Sequence, residues 1–293
     1  MNNIYDYISE KELEKHILMA LDEDVKDGDH SSKACIDKYA TNSAKLVSKQ
    51  KGIVCGIEVA RKVFSIVDPS IVFSPIKKDG DIIKKGDLIF LVQGSAIGIL
   101  TSERTALNYM QRLSGISTTT NQYVEKIKGT NAKLLDTRKT TPTLRALEKY
   151  AVRIGGGFNH RMGLYDMIMI KDNHIDFSGG IKNAISKTKQ YLLKNNKQLK
   201  IEIEVRSIEE LMEVIQVGGV DRIMLDNFTP NDLGKAIKII DKKYETESSG
   251  GITKQTILSF AKTGVDFISV GALTHHINSL DLSLVIDKSK IVH

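Results

Sequence analysis

DTRKTTPTLRALEKYAVRIGGGFNHRMGLYDMIMIKDNH, residues 136–174, contains two short apolar runs with the triple glycine 155–157 between them. Basic side chains stand at the edges of these runs: Arg138, Lys139, His160, Arg161 and Lys171. Cations at the ends of strands are typical of a pocket for a small, highly anionic substrate. Any one of them alone would be interpreted as an ordinary surface residue. Five cations beside a triple glycine favour a binding site, because the backbone freedom of glycine and several positive charges occur together in one short segment.

From residue 118 onward, apolar runs typical of strands alternate with amphipathic runs typical of helices. The predicted strands cover residues 133–137, 167–171, 200–205, 222–226 and 266–270, with a weaker one around Glu247. The predicted helices cover residues 143–152, 181–193, 208–217, 230–242 and 253–263. Strands too apolar to face water must be covered on both faces, so the alternation predicts a parallel sheet flanked by helices. About six β-α units predict a complete or incomplete β/α barrel.

Polar residues follow the predicted strands at their C-terminal ends. They are residues 136–139, 171–173, Glu204, 226–227, 248–251 and 271–272. In a β/α barrel these ends meet at one face, where the catalytic pocket forms. A single polar strand end could instead cap the next helix, as Asp226 could do before Pro230.

Two carboxylates among these strand ends, Glu204 and Asp226, predict a magnesium site. Mg²⁺ is usually held by one or two carboxylates together with substrate phosphates, and glycine-rich turns bind phosphate oxygens through backbone N–H groups. The pattern therefore predicts a pocket for a phosphorylated sugar and a second anion. The motifs of P-loop and dinucleotide-binding proteins do not occur. His160 and His174 lack the spacing of zinc ligands.

The N-terminal part is predicted to open with an amphipathic helix over residues 9–21, with Ser9 as N-cap. Short strands are predicted at residues 44–48, 52–55, 72–76, 87–92 and 96–100. A helix over residues 102–114 with a Ser102 cap would place Arg104 in the first turn. A cation there is unfavourable by about a few tenths of a kcal/mol, so Arg104 either pairs with Glu103 or Glu125 or reaches an anion.

Composition narrows the class of protein. The chain has 293 residues, a net charge of +6 and 41% hydrophobic residues, which is ordinary for a globular protein. Without Trp, a basic stripe interleaved with aromatic residues or a recognisable module, nucleic acid is not the expected partner. The only two cysteines, Cys35 and Cys55, fit a reduced compartment. Since neither a signal peptide nor a long apolar run occurs, we expect a cytoplasmic protein that does not bind a membrane.

The segment 136–174, followed by IEIEV at 201–205, LDN at 225–227, ESSGG at 247–251 and VGALTH at 270–275, resembles the quinolinate phosphoribosyltransferases. These are decarboxylating nicotinate-nucleotide pyrophosphorylases of NAD biosynthesis. The resemblance runs through nearly the whole chain. It implies an N-terminal α/β sandwich domain over residues 1–115, joined by the C-terminal tail 277–293. It also implies an open α/β barrel catalytic domain over residues 116–276.

The implied reaction converts quinolinate and phosphoribosyl pyrophosphate into nicotinate mononucleotide, pyrophosphate and CO₂ with Mg²⁺. The implied substrate-binding residues are Lys49, Arg104, Thr137, Arg138, Lys139, His160, Arg161, Lys171, Ser249, Gly250, Gly251, Gly271, Ala272 and Leu273. Among them, the resemblance assigns quinolinate to Arg104, Arg138, His160, Arg161 and Lys171, and the 5-phosphate to Ser249, Gly250 and Gly271. The implied catalytic residues are Lys139, Lys171, Glu204 and Asp226. Glu204 and Asp226 face the ribose and the Mg²⁺, which they hold through phosphoribosyl pyrophosphate or water.

One position departs from the family pattern. Many relatives carry Arg where VSKQKGIVCG (47–56) has Lys49, which keeps the charge but loses the bidentate fork. The resemblance also implies a homodimer with shared active sites, or a higher oligomer. Three alternatives remain at this point: a related barrel phosphoribosyltransferase acting on another acid, a Schiff-base aldolase using Lys171, and a non-catalytic anion-binding protein.

Overall fold

The structure, a computed structural model, describes residues 3–286. Its strands are β1 (Thr41–Ser48), β2 (Gly52–Ile53), β3 (Val72–Pro75), β4 (Ile82–Ile83), β5 (Leu88–Ser95), β6 (Lys133–Leu135), β7 (Ile168–Ile170), β8 (Ile201–Val205), β9 (Arg222–Asp226), β10 (Glu245–Ser249), β11 (Phe267–Ser269) and β12 (Leu282–Ile286). Its helices are α1 (Glu10–Val25), α2 (His30–Cys35), α3 (Ile57–Val67), α4 (Ala96–Ile127), α5 (Arg145–Ile154), α6 (Asp172–Ser178), α7 (Ile181–Lys194), α8 (Ile208–Val217), α9 (Pro230–Ile240), α10 (Ile257–Ala261) and α11 (Ala272–His275).

The described chain forms two compact units. The first contains residues 3–121, 142–156 and 276–286, and the second contains residues 122–141 and 157–275. Helix α5 thus belongs to the first unit, although its sequence lies within the range 116–276 expected for the barrel. The boundary at residues 115/116 stays a prediction. Within residues 3–286, no helix is long and apolar enough to cross a membrane.

The first unit is an α/β sandwich built on an antiparallel sheet of order β12-β1-β5-β3. Helix α3 packs against β3 and against α1, and an aromatic cluster joins Phe64 to Phe73 and Phe90, with the last two ring centroids 4.4 Å apart. β12 pairs with β1, with Leu46 opposite Leu284. The part of the predicted C-terminal tail at residues 287–293 lies outside the described residues.

The predicted opening helix and its cap are confirmed. The Ser9 side chain accepts a hydrogen bond from the Glu12 backbone N–H, and the Ser9 backbone N–H donates to the Glu12 carboxylate at 3.0 Å. This reciprocal pair satisfies two donors that a helix start otherwise leaves unbonded.

Two predictions for the first unit are wrong. Residues 96–100 are not a strand but the beginning of α4, and Ser102 is not a cap, since its hydroxyl donates to the Gly98 carbonyl at 2.7 Å. Ser95 accepts from the Gly98 N–H instead. Arg104 is therefore in the interior of a 32-residue helix, and the first-turn argument about its charge does not apply. A five-residue apolar run does not distinguish a strand from a helix.

Helix α3 was not predicted, because the sequence suggested only strands between residues 44 and 100. Its buried residues Ile57, Ala60 and Phe64 follow helical spacing. Its start is stabilised from a distance: the Asp79 carboxylate accepts from the Gly56 and Ile57 N–H groups, each at 3.0 Å. A cap 22 residues away leaves no local sequence signal.

The second unit contains the predicted parallel sheet, with order β6-β11-β10-β9-β8-β7. All six predicted strands are confirmed, including the weak one at Glu247, which is β10. Among the described residues, β6 and β7 do not pair with each other, and a parallel bridge from Leu135 to Phe158 extends the β6 edge. The sheet is an open α/β barrel, as predicted.

The triple glycine has a structural role at the end of α5. Gly155 is the C-cap, and a Cβ there would lie 2.5 Å from the Ser117 carbonyl oxygen of α4. Gly156 has φ +92°, a conformation that residues with a side chain rarely adopt. These two glycines let α5 end against α4, so their presence is explained by packing rather than by substrate binding.

Candidate active site

A cavity of about 680 Å³ lies at the C-terminal ends of the barrel strands. The predicted residues that line it are Thr137, Arg138, Lys139, His160, Arg161, Lys171, Glu204, Asp226, Ser249, Gly250, Gly251, Gly271 and Ala272. Parallel strands all end at this edge, which is why residues from six strand ends meet here, together with residues 160–161.

Three of the predicted residues are elsewhere. Leu273 is fully buried and its side chain does not line the cavity. Lys49 and Arg104 are exposed residues of the first unit. The cavity of the second unit is therefore built without these two cations.

Lys171 and Glu204 form an ion pair at the cavity wall, with Nζ and Oε2 separated by 2.7 Å. Glu204 is 9% exposed, and the Lys171 side chain is 44% exposed. Lys171 directly follows β7, and Glu204 is the penultimate residue of the neighbouring strand β8. The pair keeps both signs of charge available at the cavity surface.

Arg138 and Arg161 place two positive charges in the same cavity. Burial lowers the pKa of Arg161, and the neighbouring charge of Arg138 lowers it further. One guanidinium N–H of Arg161 donates to the Met167 carbonyl at 3.1 Å, which orients the group. Two guanidinium groups that repel each other are stabilised when an anion binds between them.

The loop after β6 is tied to helix α11. The Lys139 N–H donates to the Thr137 hydroxyl at 3.0 Å, and the Thr274 hydroxyl donates to the Lys139 carbonyl at 2.7 Å. A Cβ on Gly271 would come within 3.0 Å of the Lys139 side chain. Lys139 is thus held directly beside the Gly271 turn.

The turn after β10 requires glycine at position 250. Gly250 has φ +98°, and a Cβ there would lie 2.8 Å from the Asn227 backbone nitrogen. Asn227 itself adopts φ +57° and donates its N–H to the Ser249 carbonyl at 2.9 Å. Turns of this kind bring the backbone close to a ligand and suit phosphate oxygens.

Asp226 is not a helix cap, contrary to the alternative that the sequence left open. Thr229 is the N-cap of α9, accepting from the Asp232 N–H, and Pro230 occupies the first turn. The Asp226 carboxylate instead lines the cavity and accepts from the Asn227 side-chain amide at 2.6 Å. It is therefore oriented at the cavity surface and has no capping role.

His160 faces carboxylates inside the barrel. Its Nε2 lies 2.9 Å from Glu202 Oε2 and 3.4 Å from Glu247 Oε2. Burial alone lowers the pKa of His160, but hydrogen bonds and charges of the two glutamates outweigh it and raise the pKa above its usual value. Nδ1 accepts the Arg161 backbone N–H at 2.7 Å. Both ring nitrogens thus have protein partners.

The pKa values of Glu202 and Glu247 are shifted in opposite directions. Burial and then the charge of Glu247 raise the pKa of Glu202 to about 7. Burial also acts to raise the pKa of Glu247, but His160 and Arg222 outweigh it and the pKa is lowered. Arg222 Nη1 lies 3.1 Å from Glu247 Oε2.

Sequence reasoning missed the buried charged residues around His160, namely Glu202, Arg222 and Glu247, and it missed several residues that line the cavity. The missed lining residues include Met169, Met224, Glu247, Ser269 and His275. The first four lie two residues before a predicted strand-end residue, for example Met224 before Asp226. Since alternate residues of a strand share a face, the period of two was the available signal. The prediction used only the last residue of each strand.

An open β/α barrel with cations and two carboxylates at its C-terminal strand ends defines an enzyme that acts on small anionic substrates. Two family profiles match the chain: "Quinolinate phosphoribosyl transferase, N-terminal domain" at residues 29–114 and the corresponding C-terminal domain at residues 116–285. The chain belongs to the quinolinate phosphoribosyltransferase family.

Curated relatives and solved structures agree. The chain is 43% identical to "Quinolinate phosphoribosyltransferase [decarboxylating] 1" of Nicotiana glauca, covering 92% of this chain and 81% of the relative. It is 42% identical to the probable nicotinate-nucleotide pyrophosphorylase [carboxylating] of Bacillus subtilis, covering 95% and 94%. The crystal structure of NadC from Streptococcus pyogenes is similar with a TM-score of 0.90 at 39% identity, covering 96% and 99%. The nicotinate-nucleotide pyrophosphorylase from Francisella tularensis has the same TM-score at 40% identity, covering 98% and 100%.

Proposed function

We propose that this protein is a decarboxylating quinolinate phosphoribosyltransferase of NAD biosynthesis. It transfers the phosphoribosyl group of phosphoribosyl pyrophosphate to quinolinate and releases pyrophosphate and CO₂. One observation carries the proposal: a single cavity joins the cations Arg138, Lys139, Arg161 and Lys171 to the carboxylates Glu204 and Asp226. The family and the names of its members support this reaction over other barrel chemistries.

The cations bind and orient quinolinate. Quinolinate carries two carboxylates, and the paired guanidinium groups of Arg138 and Arg161 offer forked donors for them. The Met167 carbonyl restricts Arg161, so less ordering is needed on binding. Fixing both carboxylates directs the ring nitrogen at the anomeric carbon of the second substrate, and such positioning is a large part of catalysis.

The carboxylates stabilise the ribosyl centre. As pyrophosphate leaves, positive charge develops on the sugar, and Glu204 and Asp226 offset it. Lys171 holds Glu204 in place through the 2.7 Å ion pair. Lys139, in the loop after β6, lies beside the Gly271 turn, where it can contact both substrates. Ser249 and Gly250 line the side of the cavity suited to the 5-phosphate.

The site suits Mg²⁺, because carboxylate oxygens of Asp226 and Glu204 line one cavity and Mg²⁺ commonly takes one or two carboxylates plus substrate phosphates. When bound with the pyrophosphate group, Mg²⁺ would neutralise leaving-group charge. Asp226 is the better ligand of the two, since Glu204 already has Lys171 as a partner. We propose that both reach the ion through phosphoribosyl pyrophosphate or water.

Loss of CO₂ follows from the first step. Nitrogen attack forms the N–C bond to the sugar and leaves the pyridine nitrogen cationic. The adjacent carboxylate then departs as CO₂, its C–C bond electrons are stabilised by that nitrogen, and a proton from solvent replaces it. The cations that held this carboxylate no longer have a partner in the product.

We also propose a homodimer with shared active sites. Lys49 and Arg104 are exposed cations of the first unit, and the family resemblance assigns both to substrate binding. In the proposed dimer they reach the cavity of the neighbouring subunit. The compartment is proposed to be the cytoplasm, consistent with Cys35 and Cys55 as free thiols.

The test uses purified protein with Mg²⁺, quinolinate and phosphoribosyl pyrophosphate, and follows nicotinate mononucleotide and pyrophosphate. We expect equal amounts of both products. Binding of quinolinate without pyrophosphate release would favour a non-catalytic anion-binding protein. Pyrophosphate release with a different acid, but not with quinolinate, would identify a related phosphoribosyltransferase instead.

A further inference from the structure

A charged cluster lies inside the barrel at the floor of the cavity, where two of its members, His160 and Glu247, line the cavity. Glu202 of β8 and Glu247 of β10 are fully buried, and Arg222 of β9 and His160 complete the cluster. Barrel interiors are usually filled by bulky apolar side chains. Burying four ionisable groups is unfavourable unless they meet each other, so their presence points to a function.

A metal ion is not the best explanation. Ligand atoms of His160, Glu202 and Glu247 lie within 4.8 Å of one another, a spacing that a metal would need. However, the guanidinium of Arg222 already lies 3.1 Å from Glu247 and supplies positive charge at this place. A divalent ion beside it would be repelled.

The cluster is continuous with the loop that carries Arg161. The Asp136 carboxylate, fully buried at the end of β6, accepts from the His160 N–H at 2.9 Å and the Asn159 side-chain amide at 2.6 Å. The His160 ring lies between the glutamates on one side and the Arg161 N–H on the other. The backbone at residues 159–161 is therefore held from β6, β8 and β10 together.

We propose that Glu247, together with Glu202 and Asp136, is a positioning residue for quinolinate binding. These carboxylates hold His160, and the His160 ring holds the backbone of Arg161, so that the guanidinium stays in the cavity. This inference rests on the proposed function, since it assigns Arg161 to quinolinate.

The test compares Glu247→Gln with Glu245→Gln. Glu245 is on the same strand and also pairs with Arg222, at 3.1 Å, but does not contact His160. For Glu247→Gln we expect KM for quinolinate to rise by about tenfold, because His160 loses one of the two buried carboxylate charges beside its ring. We expect kcat and KM for phosphoribosyl pyrophosphate to change by less than about twofold. Glu245→Gln should leave all three at wild-type values.

Hydrogen–deuterium exchange of the Arg161 amide gives a readout that needs no turnover. The Arg161 amide should be protected in the wild-type protein. It should exchange about tenfold faster in Glu247→Gln, since the acceptor, His160 Nδ1, is no longer held in place. If Glu247→Gln does not fold, Asn159→Ala loosens Asp136 without touching His160's ring or the cavity, and should also raise KM for quinolinate alone.

The outcomes are separable. Absence of turnover in the wild-type protein rejects the proposed function, while exchange at Arg161 still tests the positioning role. A folded Glu247→Gln enzyme with unchanged KM for quinolinate and unchanged Arg161 exchange rejects the positioning role alone. Equal increases in both KM values, or the same change in Glu245→Gln, would also overturn it.

Discussion

Two glutamates on one face of β8 show how differently the same residue type is used in this barrel. Glu204 is 9% exposed, borders the cavity and pairs with Lys171. Glu202, two residues earlier, is fully buried and faces His160. In the proposed mechanism the rim layer presents charge to substrate, whereas the inner layer is proposed to hold the protein itself. Two residues of the same type thus have different proposed roles because they lie at different depths within the barrel.

The difference between the layers is also energetic. A rim ion pair keeps contact with water and contributes little to stability. An inner pair has lost its water, so each charge depends on its protein partner. The following predictions test this contrast, beginning with the largest effect.

Glu247→Gln is expected to lower the free energy of unfolding by about 3 kcal/mol, because Arg222 loses a buried counter-charge and His160 loses a neighbouring carboxylate. Glu204→Gln, the matched change in the rim layer, is expected to lower it by less than about 1 kcal/mol. Urea denaturation of both variants measures the difference. Equal losses would contradict the distinction between the two layers.

Asp226→Asn is expected to reduce kcat by roughly a hundredfold at saturating Mg²⁺, since the carboxylate is proposed to offset charge that develops only in the transition state. Stability should be unchanged, because Thr229 rather than Asp226 caps α9. Thr229→Ala is the control and should lose about 1 kcal/mol of stability with normal kcat. An Asp226→Asn enzyme with wild-type turnover would exclude a catalytic role.

Nicotinic acid, which has one carboxylate, is expected to be a poorer substrate than quinolinate by about ten- to a hundredfold in kcat/KM. The reason is that one of the cations around the cavity, such as Arg138 or Arg161, would lose its contact with the second carboxylate of the substrate. Steady-state kinetics with both acids provide the measurement. Equal kcat/KM values would show that the paired guanidinium groups do not select a dicarboxylate.

Mixed dimers test whether the rim is completed by a second subunit. Arg104→Ala and Lys171→Ala proteins should each be nearly inactive alone. A hybrid dimer would contain one site with both changes and one with neither, so randomly mixed subunits should recover about a quarter of wild-type activity. If subunit exchange is verified and no activity returns, Arg104 serves its own subunit.

Much of the second unit was predictable because its signals are local. The apolar residues Ile201, Ile203 and Val205 and the regular spacing of helices indicated β-α units, which the structure confirms. The first unit was less predictable: residues 96–100 suggested a strand but begin α4, and α3 depends on a cap from Asp79. A short apolar run does not distinguish a strand from a helix, and a cap from a distant residue leaves no signal in the local sequence.

The site was predictable at its rim and not in its interior. Polar strand ends such as Lys171 and Asp226 are visible in sequence because they interrupt apolar runs. Glu202 was overlooked although it occupies an alternate position in IEIEV, since an inward glutamate is explained only by the partners it meets. The triple glycine suggested a ligand, but Gly155 and Gly156 serve the end of α5.

The sequence by itself determined the parallel barrel and the chemical character of the pocket, because strand period and residue type are properties of short segments. Only the tertiary structure decided which polar side chains meet: Lys171 with Glu204 across 33 residues, and Asn159 with Asp136 across 23. Such pairs depend on strand order and register, which bring distant residues to the same depth in the barrel. The physical reason is that a charge acts over a few ångströms of space, whatever the separation along the chain.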